Sequence, residues 1–583
     1  MPGCAMRARK LRWQIVGETM GNKEYSISEV IDSFGLTKNT WTVFILLAFA
    51  MILDGYDFMI VNSTNLFVAH TFWPDNPNPG VLMGSLTTWG LLGMVIGGAI
   101  GGIVSDRIGR KKMLILAVVF YGAFTLPQAF ANDLVFFAVF RLIAGLGVGS
   151  CIPIVTTMLS ESVPSNRRGL FIGIGQACMV GGWVVAGLIA NPICNATTPL
   201  LGEFTNEVAY MTTSSTGAVI EQTMFANWRL CYLIGGIPVI YGIVLHFAML
   251  ESPHWLSNVG RKKDAVKVLE IIERRSVGTV TEYDPNLLIV PPKPQSASVS
   301  VLFSDKYILG TCAIWSIYFI GQFCVYGMNA WLPAWFKDIG YTPSQAVALQ
   351  TWNNFAAILS NSLCGIIGDR VGRKRNCLGA WLFAILVVIL CSVFVAPNQF
   401  LFCIGLMLLF GFALNYAITT CNLLMPEQYP TAIRNTGVSW CQAFARFGGS
   451  ASSIVLGGIA SMALFQLSDG VTNWSMVVLV LIIPFTLGFI CALCFVRDTS
   501  GKTMDELESE KTGSDLNGKV PFVIMCIIAV LLFVLCIVCP LAISDWSKLP
   551  VALPLMGGAL LLPFVFFFVY GGRRALQLKR AQA

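Results

Sequence analysis

Long apolar runs dominate this chain and restrict the folds open to it. A run of roughly 17–25 mostly apolar residues is long enough to cross a bilayer as a helix. The bilayer core offers no water to the backbone, so a run of that length must bond its own amides helically. We place such spans at about 41–67, 81–104, 113–130, 134–159, 170–193, 230–250, 307–336, 346–367, 377–395, 400–425, 436–462, 474–496, 520–543 and 549–570. The sequence therefore predicts an all-α polytopic membrane protein with fourteen transmembrane helices.

The few charges are distributed unevenly between alternate loops. Only 12% of the 583 residues are charged, whereas soluble domains carry about 25%. Lys and Arg concentrate in loops on one side, and the opposite loops contain little beyond Lys337 and Lys548. This positive-inside bias explains the net charge of +7 without a nucleic-acid partner. It predicts a multi-pass protein of the cell membrane with both termini in the cytoplasm.

Cysteine and histidine usage indicates neither a disulfide framework nor a metal site. Most of the 18 cysteines lie in apolar runs, where cysteine behaves as a small buried hydrophobe. The three histidines share no ligand spacing, so we predict no metal and no cofactor. No cleaved signal peptide is visible, and the lipid bilayer is the expected surrounding of a monomer.

Polar stretches divide the chain into segments. Residues 194–229 are predicted to form an outer loop, and Arg261–Arg275 to form a short surface helix. The predicted segments are a cytoplasmic N-terminal segment (1–40), a six-helix bundle (41–250), a cytoplasmic linker (251–306), a second six-helix bundle (307–496), another linker (497–519), two additional spans (520–571) and a basic tail (572–583).

Two loop motifs occur once in each half of the chain. Gly-Ile-Val-Ser-Asp-Arg-Ile-Gly-Arg-Lys-Lys (102–112) after span 2 returns as Gly-Ile-Ile-Gly-Asp-Arg-Val-Gly-Arg-Lys-Arg (365–375) after span 8. Glu-Ser-Val-Pro (161–164) after span 4 returns as Glu-Gln-Tyr-Pro (427–430) after span 10, at nearly the same spacing. Two matched pairs indicate a duplicated six-helix unit.

These motifs resemble the cytoplasmic signature of the major facilitator superfamily, over about residues 40–500. The resemblance implies two packed repeats around a midplane site, and the two final helices have no counterpart in the usual twelve-helix plan. The glycines of span 4 and Glu251-Ser-Pro-His look like sugar porters, although those have Arg where His254 stands. Asp54-Gly-Tyr-Asp57 and span 11 look closer to aromatic-acid and metabolite proton symporters, whose loop after span 8 is usually less basic.

Charged residues inside the spans are candidates for proton coupling, because each is costly in lipid. Asp57 lies roughly 24 Å from the inner end of span 1 and Arg141 about 10 Å from the outer end of span 4, at 1.5 Å per residue. Both fall in the outer half and could meet. A titrating Asp57 paired with Arg141 agrees with the sugar–proton symporter resemblance. Asp54 as the titrating group, and a permanent structural ion pair, remain alternatives.

Arg446 is a lone cation near the middle of span 11, which suits a carboxylate substrate. A pair with an acid on another helix is the alternative. Polar and aromatic residues that could line the cavity are Gln176, Gln322, Tyr326, Asn329, Asn353, Asn354, Asn415 and Asn422. Interhelical hydrogen bonding would explain each of them equally well. Trp183 could stack on a substrate ring.

The repeated loop motifs predict a charge network at the inner ends of the helices, able to form in one state and break in another. Its predicted members are Gly102, Asp106, Arg107, Gly109, Arg110, Glu161, Arg168, Asp369, Arg370, Gly372, Arg373, Glu427 and Arg434. The chain is thus predicted to be a secondary transporter and not an enzyme, most simply a proton-coupled symporter of a small organic carboxylate, aromatic acids included. A sugar or polyol transporter of the same superfamily is the alternative.

Overall fold

The computed structural model describes residues 24–75, 80–164, 167–213, 219–276, 278, 283–289, 299–304, 307–397, 399–429, 433–461 and 472–496. The predicted spans at 520–543 and 549–570, the linker 497–519 and the tail 572–583 lie outside the described residues. Each of the twelve spans predicted between 41 and 496 is helical. The fourteen-helix count therefore stays a prediction, whereas the helical character of the first twelve spans is confirmed.

Twelve spans form two successive sets of six, numbered here in chain order. Spans 1 to 6 are Lys38–Phe72, Gly80–Ile108, Arg110–Thr125 with the 3-10 turn Leu126–Phe130, Leu134–Ser162, Arg168–Cys194, and the pair Trp228–Ile234 and Ile237–Ala248. Spans 7 to 12 are Ile308–Ile339, Pro343–Val371, Arg373–Phe394, Phe400–Leu424 with the turn Met425–Gln428, Arg434–Ser461, and the pair Trp474–Val480 and Ile482–Phe495. In the described residues, ten helices are long and apolar enough to cross a membrane; spans 8 and 11 carry more polar residues than the others.

Local signals in the sequence fix several helix starts. Thr37 caps span 1 and Thr342 caps span 8, each through a reciprocal capping box with the third helical residue. Pro343 follows Thr342 as the first residue of span 8, where its missing N–H costs nothing. Asp133 accepts a hydrogen bond from the Phe136 N–H at the start of span 4.

The N-terminal segment and the linker form a small second core beside the first six spans. The predicted surface helix is present as Lys262–Ser276, preceded by the short helix Pro253–Asn258. The N-terminal segment also contains a helix, Ile27–Phe34, which the sequence analysis did not predict. Its buried face packs with the linker helices, and Tyr25 pairs with Leu288 as an isolated β-bridge. The linker is therefore joined to the N-terminal segment by packing as well as by backbone hydrogen bonds.

The outer loop contains a β-hairpin, which departs from the all-α prediction. Strands β1 (Glu207–Thr213) and β2 (Val219–Phe225) pair antiparallel with Glu207 opposite Phe225. The Met211 N–H donates to the Pro74 carbonyl at 2.7 Å, which ties the hairpin to the outer end of span 1. Hydrogen bonds between the strands satisfy backbone groups that an irregular loop would leave to water.

The two six-helix halves contact each other towards the outer side. Span 2 packs along span 11, and the Thr88 hydroxyl donates to the Ser450 carbonyl at 3.2 Å. A Cβ added at Gly84, nearer the outer end, would meet the Ser453 carbonyl at 2.6 Å, whereas one at Gly102 would meet nothing within 4 Å. Gly84 and Gly102 are five helical turns apart on the same face. The contact between the halves is therefore tight near Gly84 and looser near Gly102.

Candidate transport site

Asp57 and Arg141 form a buried ion pair in the first half of the molecule. The Arg141 Nη1 lies 2.9 Å from Asp57 Oδ2, and Nη2 donates to the Asp57 carbonyl at 2.8 Å. The other carboxylate oxygen, Oδ1, accepts a hydrogen bond from the Thr125 hydroxyl at 2.5 Å. Depth counting in the sequence predicted that the two charges could meet, and in the structure they do. Asp57 thus has charge-assisted partners on both carboxylate oxygens.

Asp54 lies one turn away in a different environment. Its side chain is buried, and Oδ1 has no hydrogen-bond partner among the described residues. The charged groups that act on it are Asp57, Arg446 and Arg141. A buried carboxylate with few donors is costly when ionised. The two acids that the sequence left as alternatives therefore differ clearly in how well their charge is compensated.

Arg446 lies at the junction of the two halves. It is half-buried, and its Nη1 donates to the Met94 carbonyl of span 2 at 3.3 Å. No carboxylate lies within ion-pair distance of its guanidinium in the part of the chain that the structure describes. Asp54 and Tyr326 are near enough for the charge of Arg446 to act on them. The guanidinium therefore has donors available for an anion that enters between the halves.

Three aromatic rings from spans 1, 5 and 7 meet beside these charges. The Phe58 ring centroid lies 5.6 Å from that of Trp183 and 5.2 Å from that of Tyr326. Trp183 and Tyr326 are 6.4 Å apart and nearly perpendicular. The Trp183 Nε1 is buried and has no acceptor among the described residues, although a buried indole N–H usually finds one. This ring cluster suits a flat apolar body with a polar substituent.

The predicted amide side chains separate into a buried group and two outliers. Asn329 accepts a hydrogen bond from Asn353 at 3.4 Å, and Asn353 also donates to Asn354 at 3.5 Å. The buried members are Gln322, Asn329, Asn353, Asn354 and Asn415. Gln176 is half-buried and Asn422 is exposed, so the shared face expected for Asn415 and Asn422 does not make both of them interior.

The cytoplasmic motif residues make ion pairs within each half. Arg110 contacts Asp106 at 2.5 Å and Glu161 at 3.9 Å, and Arg373 contacts Glu427 at 3.1 Å. Between the halves, the described residues show no such pair. Arg107 and Arg370 are exposed, while the glycines Gly109 and Gly372 adopt φ of 109° and 99° at the helix junctions. The side chains of Asp369 and Arg434 lie outside the described part of the structure.

The linker contacts this motif directly in the first half. Glu251 accepts a hydrogen bond from the Lys111 N–H at 2.9 Å, at the start of span 3, and Ser252 donates to Glu161 at 2.6 Å. Arg168, a predicted member, has its Nε unpaired among the described residues and acts electrostatically on His254. Burial and the Arg168 guanidinium lower the pKa of His254 to about 4. His254 is therefore neutral at pH 7 and adds no positive charge beside the Arg168 guanidinium.

Thr125, Phe58 and Gln350 belong to the site but were not predicted from the sequence. Gln350 donates to the Asn329 carbonyl at 2.6 Å, which fixes the backbone of span 7 at the amide group. A threonine or phenylalanine within an apolar run has no distinguishing signal in one sequence. Gln350 is the exception, since it lies one turn before Asn353 and Asn354 on span 8.

A search with family profiles matches the Major Facilitator Superfamily at residues 47–453 and 336–578. Among curated proteins, the chain is 28% identical to the 4-hydroxybenzoate transporter PcaK of Acinetobacter baylyi, over 78% of this chain and 91% of that one. It is 26% identical to the gallate transporter of Pseudomonas putida, over 75% and 89%. It is also 27% identical to the niacin transporter NiaP of Acinetobacter baylyi, over 73% and 88%.

Solved structures with a similar fold include two in inward-open or inward-facing conformations. The xylose transporter XylE from E. coli, in a partially occluded inward open conformation, matches with a TM-score of 0.60 at 18% identity. The match covers 80% of this chain and all of that one. A bacterial homologue of the human lysosomal transporter Spinster, inward-facing, matches with a TM-score of 0.59 at 13% identity, over 80% and 100%.

Proposed function

The chain belongs to the Major Facilitator Superfamily and is a multi-pass membrane transporter of a small molecule, and we propose that it is a proton-coupled symporter of aromatic carboxylates. It would lie in the cell membrane with both termini in the cytoplasm, as the positive-inside bias of its loops favours. Transport would proceed by alternating access of one site between the two halves. The next paragraphs give the support for the substrate, for the protons and for the gate.

The position of Arg446 is the main support for the proposed substrate class. This residue places a half-buried guanidinium at the junction of the halves, without a carboxylate partner among the described residues. A planar guanidinium can bind a carboxylate through two parallel hydrogen bonds. The rings of Phe58, Trp183 and Tyr326 offer an adjacent apolar surface. A benzoate-like molecule would place its charge on Arg446 and its ring in this cluster.

The relatives support the same class independently of the geometry. Curated relatives include transporters of 4-hydroxybenzoate, gallate and niacin, which are all aromatic ring carboxylates. The sugar or polyol alternative has less support, because the likeness to the xylose transporter is at 18% identity and shows the fold alone. A neutral sugar would also leave the Arg446 charge without a counter-charge in the site.

Proton coupling is assigned to the acids of span 1. Asp57 is held by Arg141 and Thr125, so its charge is compensated in this structure. Asp54 has an unpaired carboxylate oxygen beside the substrate position. A proton on either acid would change the charge next to Arg446. Binding of an anion and binding of a proton are therefore linked through electrostatics.

The cytoplasmic motif is proposed to form the inner gate. The tight contact near Gly84 and the looser one near Gly102 suit an inward-facing state. In that state the ion pairs of the motif stay within each half, and closing the inner side would bring the two sets of charges together. Such a network has two discrete arrangements, as alternating access requires. The contacts between span 2 and span 11 near Gly84 and Ser453 would break in the opposite state.

Reconstitution in proteoliposomes tests this proposal. Radiolabelled 4-hydroxybenzoate should accumulate inside when an inward proton gradient is imposed, and collapse of the gradient by a protonophore should abolish accumulation. Unlabelled benzoate, adipate as an aliphatic acid, and xylose as a neutral sugar serve as competitors. Competition by xylose without competition by benzoate would favour the sugar alternative. Uptake that is indifferent to the proton gradient would refute the coupling.

A further inference from the structure

The Thr125 hydroxyl is the hydrogen-bond partner of one oxygen of the Asp57 carboxylate. It donates to Oδ1 at 2.5 Å, while Arg141 binds Oδ2. Both Thr125 and Asp57 are fully buried, so no bulk water is available to replace this donor. Without Thr125, Asp57 Oδ1 would be a buried acceptor that lacks its partner.

The surroundings of Thr125 fix the direction of its side chain. It is the last residue of the helix Arg110–Thr125, and its Cγ2 methyl lies against Gly235, where a Cβ would approach it to 2.6 Å. Gly235 joins the two helices of span 6. Threonine hydroxyls in helices often bond to a carbonyl one turn earlier, but here the methyl packs against the break in span 6 and the hydroxyl points at Asp57.

We propose that Thr125 is a positioning residue of the proton-coupling site, held by Gly235, that determines how readily Asp57 takes up a proton. The inference rests on the proposed function. A donor to a carboxylate stabilises its ionised form more than its protonated form. Span 3, which supplies Thr125, and spans 1 and 4, which supply Asp57 and Arg141, belong to the same half. The three residues therefore move together, and Thr125 acts on Asp57 throughout the transport cycle.

Two substitutions separate the hydroxyl from the methyl group. Thr125→Val keeps the shape and removes the donor, whereas Thr125→Ser keeps the donor. Thr157→Val is the matched control, because the Thr157 hydroxyl donates to the Pro153 carbonyl of its own helix at 2.8 Å. Gly235→Ala is a second route, since its Cβ would displace the Thr125 methyl and turn the hydroxyl away from Asp57.

The first measurement needs no substrate. The thermal unfolding midpoint of the purified full-length protein is recorded from acid to alkaline pH. Thr125→Val should lower the midpoint most at high pH, where Asp57 is ionised, and the difference from the wild type should shrink as pH falls and Asp57 becomes protonated. Thr125→Ser should stay near the wild type. A constant difference at every pH would show that Thr125 only packs, and would overturn the proposal.

The second measurement is the pH dependence of uphill uptake of 4-hydroxybenzoate in proteoliposomes. Thr125→Val and Gly235→Ala should move the half-maximal pH to the alkaline side by about one unit, while Thr157→Val leaves it unchanged. If wild-type uptake ignores the pH gradient, the proposed function fails. If wild-type uptake is driven by the gradient and both variants keep the wild-type profile, only the role of Thr125 fails.

Discussion

Asp54 and Asp57 show how two acids one turn apart can take different parts in one transport cycle. Asp57 has Arg141 and Thr125 as donors, whereas Asp54 Oδ1 has none among the described residues. Burying an uncompensated carboxylate is unfavourable, and protonation removes the cost. The two acids therefore differ in how well neighbouring donors compensate a negative charge on them.

Substituting each acid in turn tests which of the two carries the coupled proton. Asp57→Asn keeps the shape but cannot titrate, so downhill exchange of 4-hydroxybenzoate between two pools should survive while uphill accumulation is lost. Asp54→Asn should preserve accumulation if Asp57 alone carries the proton. Proteoliposome exchange and gradient-driven uptake are the two measurements. Accumulation that is lost only in Asp54→Asn would assign the coupling to Asp54, and accumulation in both variants would refute coupling through span 1.

Arg446 should decide affinity for the carboxylate. We expect Arg446→Ala to reduce binding of 4-hydroxybenzoate at least 100-fold, since a charge-assisted bidentate contact contributes about 3 kcal/mol or more. Arg446→Lys should restore only part, because a point charge lacks the planar fork. Ligand-induced thermal stabilisation of the purified protein measures this effect. Wild-type affinity in both variants would indicate that the carboxylate is bound elsewhere.

At the scale of elements, the outer hairpin and three spans meet around His70. The imidazole lies 4.2 Å from the Tyr210 ring of β1, and its Nε2 lies 3.1 Å from Lys337 Nζ of span 7. The neighbouring Asp338 accepts a hydrogen bond from the Trp474 indole of span 12 at 2.6 Å. Lys337, an exception to the positive-inside bias, thus contacts the opposite half of the molecule.

Removing the Lys337 contact should weaken outer closure. Lys337→Met deletes the ammonium that bridges to His70 and keeps a similar length, so the outward-facing state should be populated more. A single cysteine at Asn65, whose amide donates to the Ala330 carbonyl at 2.8 Å, should then react faster with a membrane-impermeant thiol reagent from outside. Lys38→Met at the inner end of span 1 is the control. An unchanged labelling rate would argue against the contact as a closing element.

Sequence patterns predicted the elements better than the contacts between them. Apolar length predicted fourteen helices, because a bilayer imposes that length on every crossing, and the twelve between 41 and 496 are helical in the described residues. The β-hairpin was missed because its strands lie in a polar loop without the alternation of a half-buried strand. The Asp57–Arg141 pair was predictable, since depth along a straight helix can be counted. Thr125 was not, because its role depends on which side of span 3 meets span 1.

At the scale of the whole molecule, the internal repeat predicts that the last two spans are accessory. The duplicated unit is complete near Val496, and the spans predicted at 520–543 and 549–570 have no counterpart in it. Truncation after Lys511 should therefore leave measurable uptake in a protein that still inserts. Size-exclusion chromatography checks the fold, and proteoliposome uptake checks activity. A well-folded truncation without transport would show that these spans are required.

The proposed inward-facing arrangement predicts that a link across the outer seam stops transport. His70 and Lys337 lie on opposite halves, and their side chains are 3.1 Å apart, so cysteines at both positions can be joined by a short bifunctional thiol reagent when the outer side is closed. The native cysteines are first replaced, and each single-cysteine variant serves as a control for chemical modification alone.

We expect cross-linking of the double variant to abolish uptake and a reducible cross-linker to allow recovery, because the outer seam must separate in every cycle. The locked protein should still bind 4-hydroxybenzoate from the side proposed to be cytoplasmic, since the contact between span 2 and span 11 is looser near Gly102 than near Gly84. Full transport by the cross-linked protein would mean that the halves do not separate at this seam, and alternating access by their relative movement would have to be abandoned.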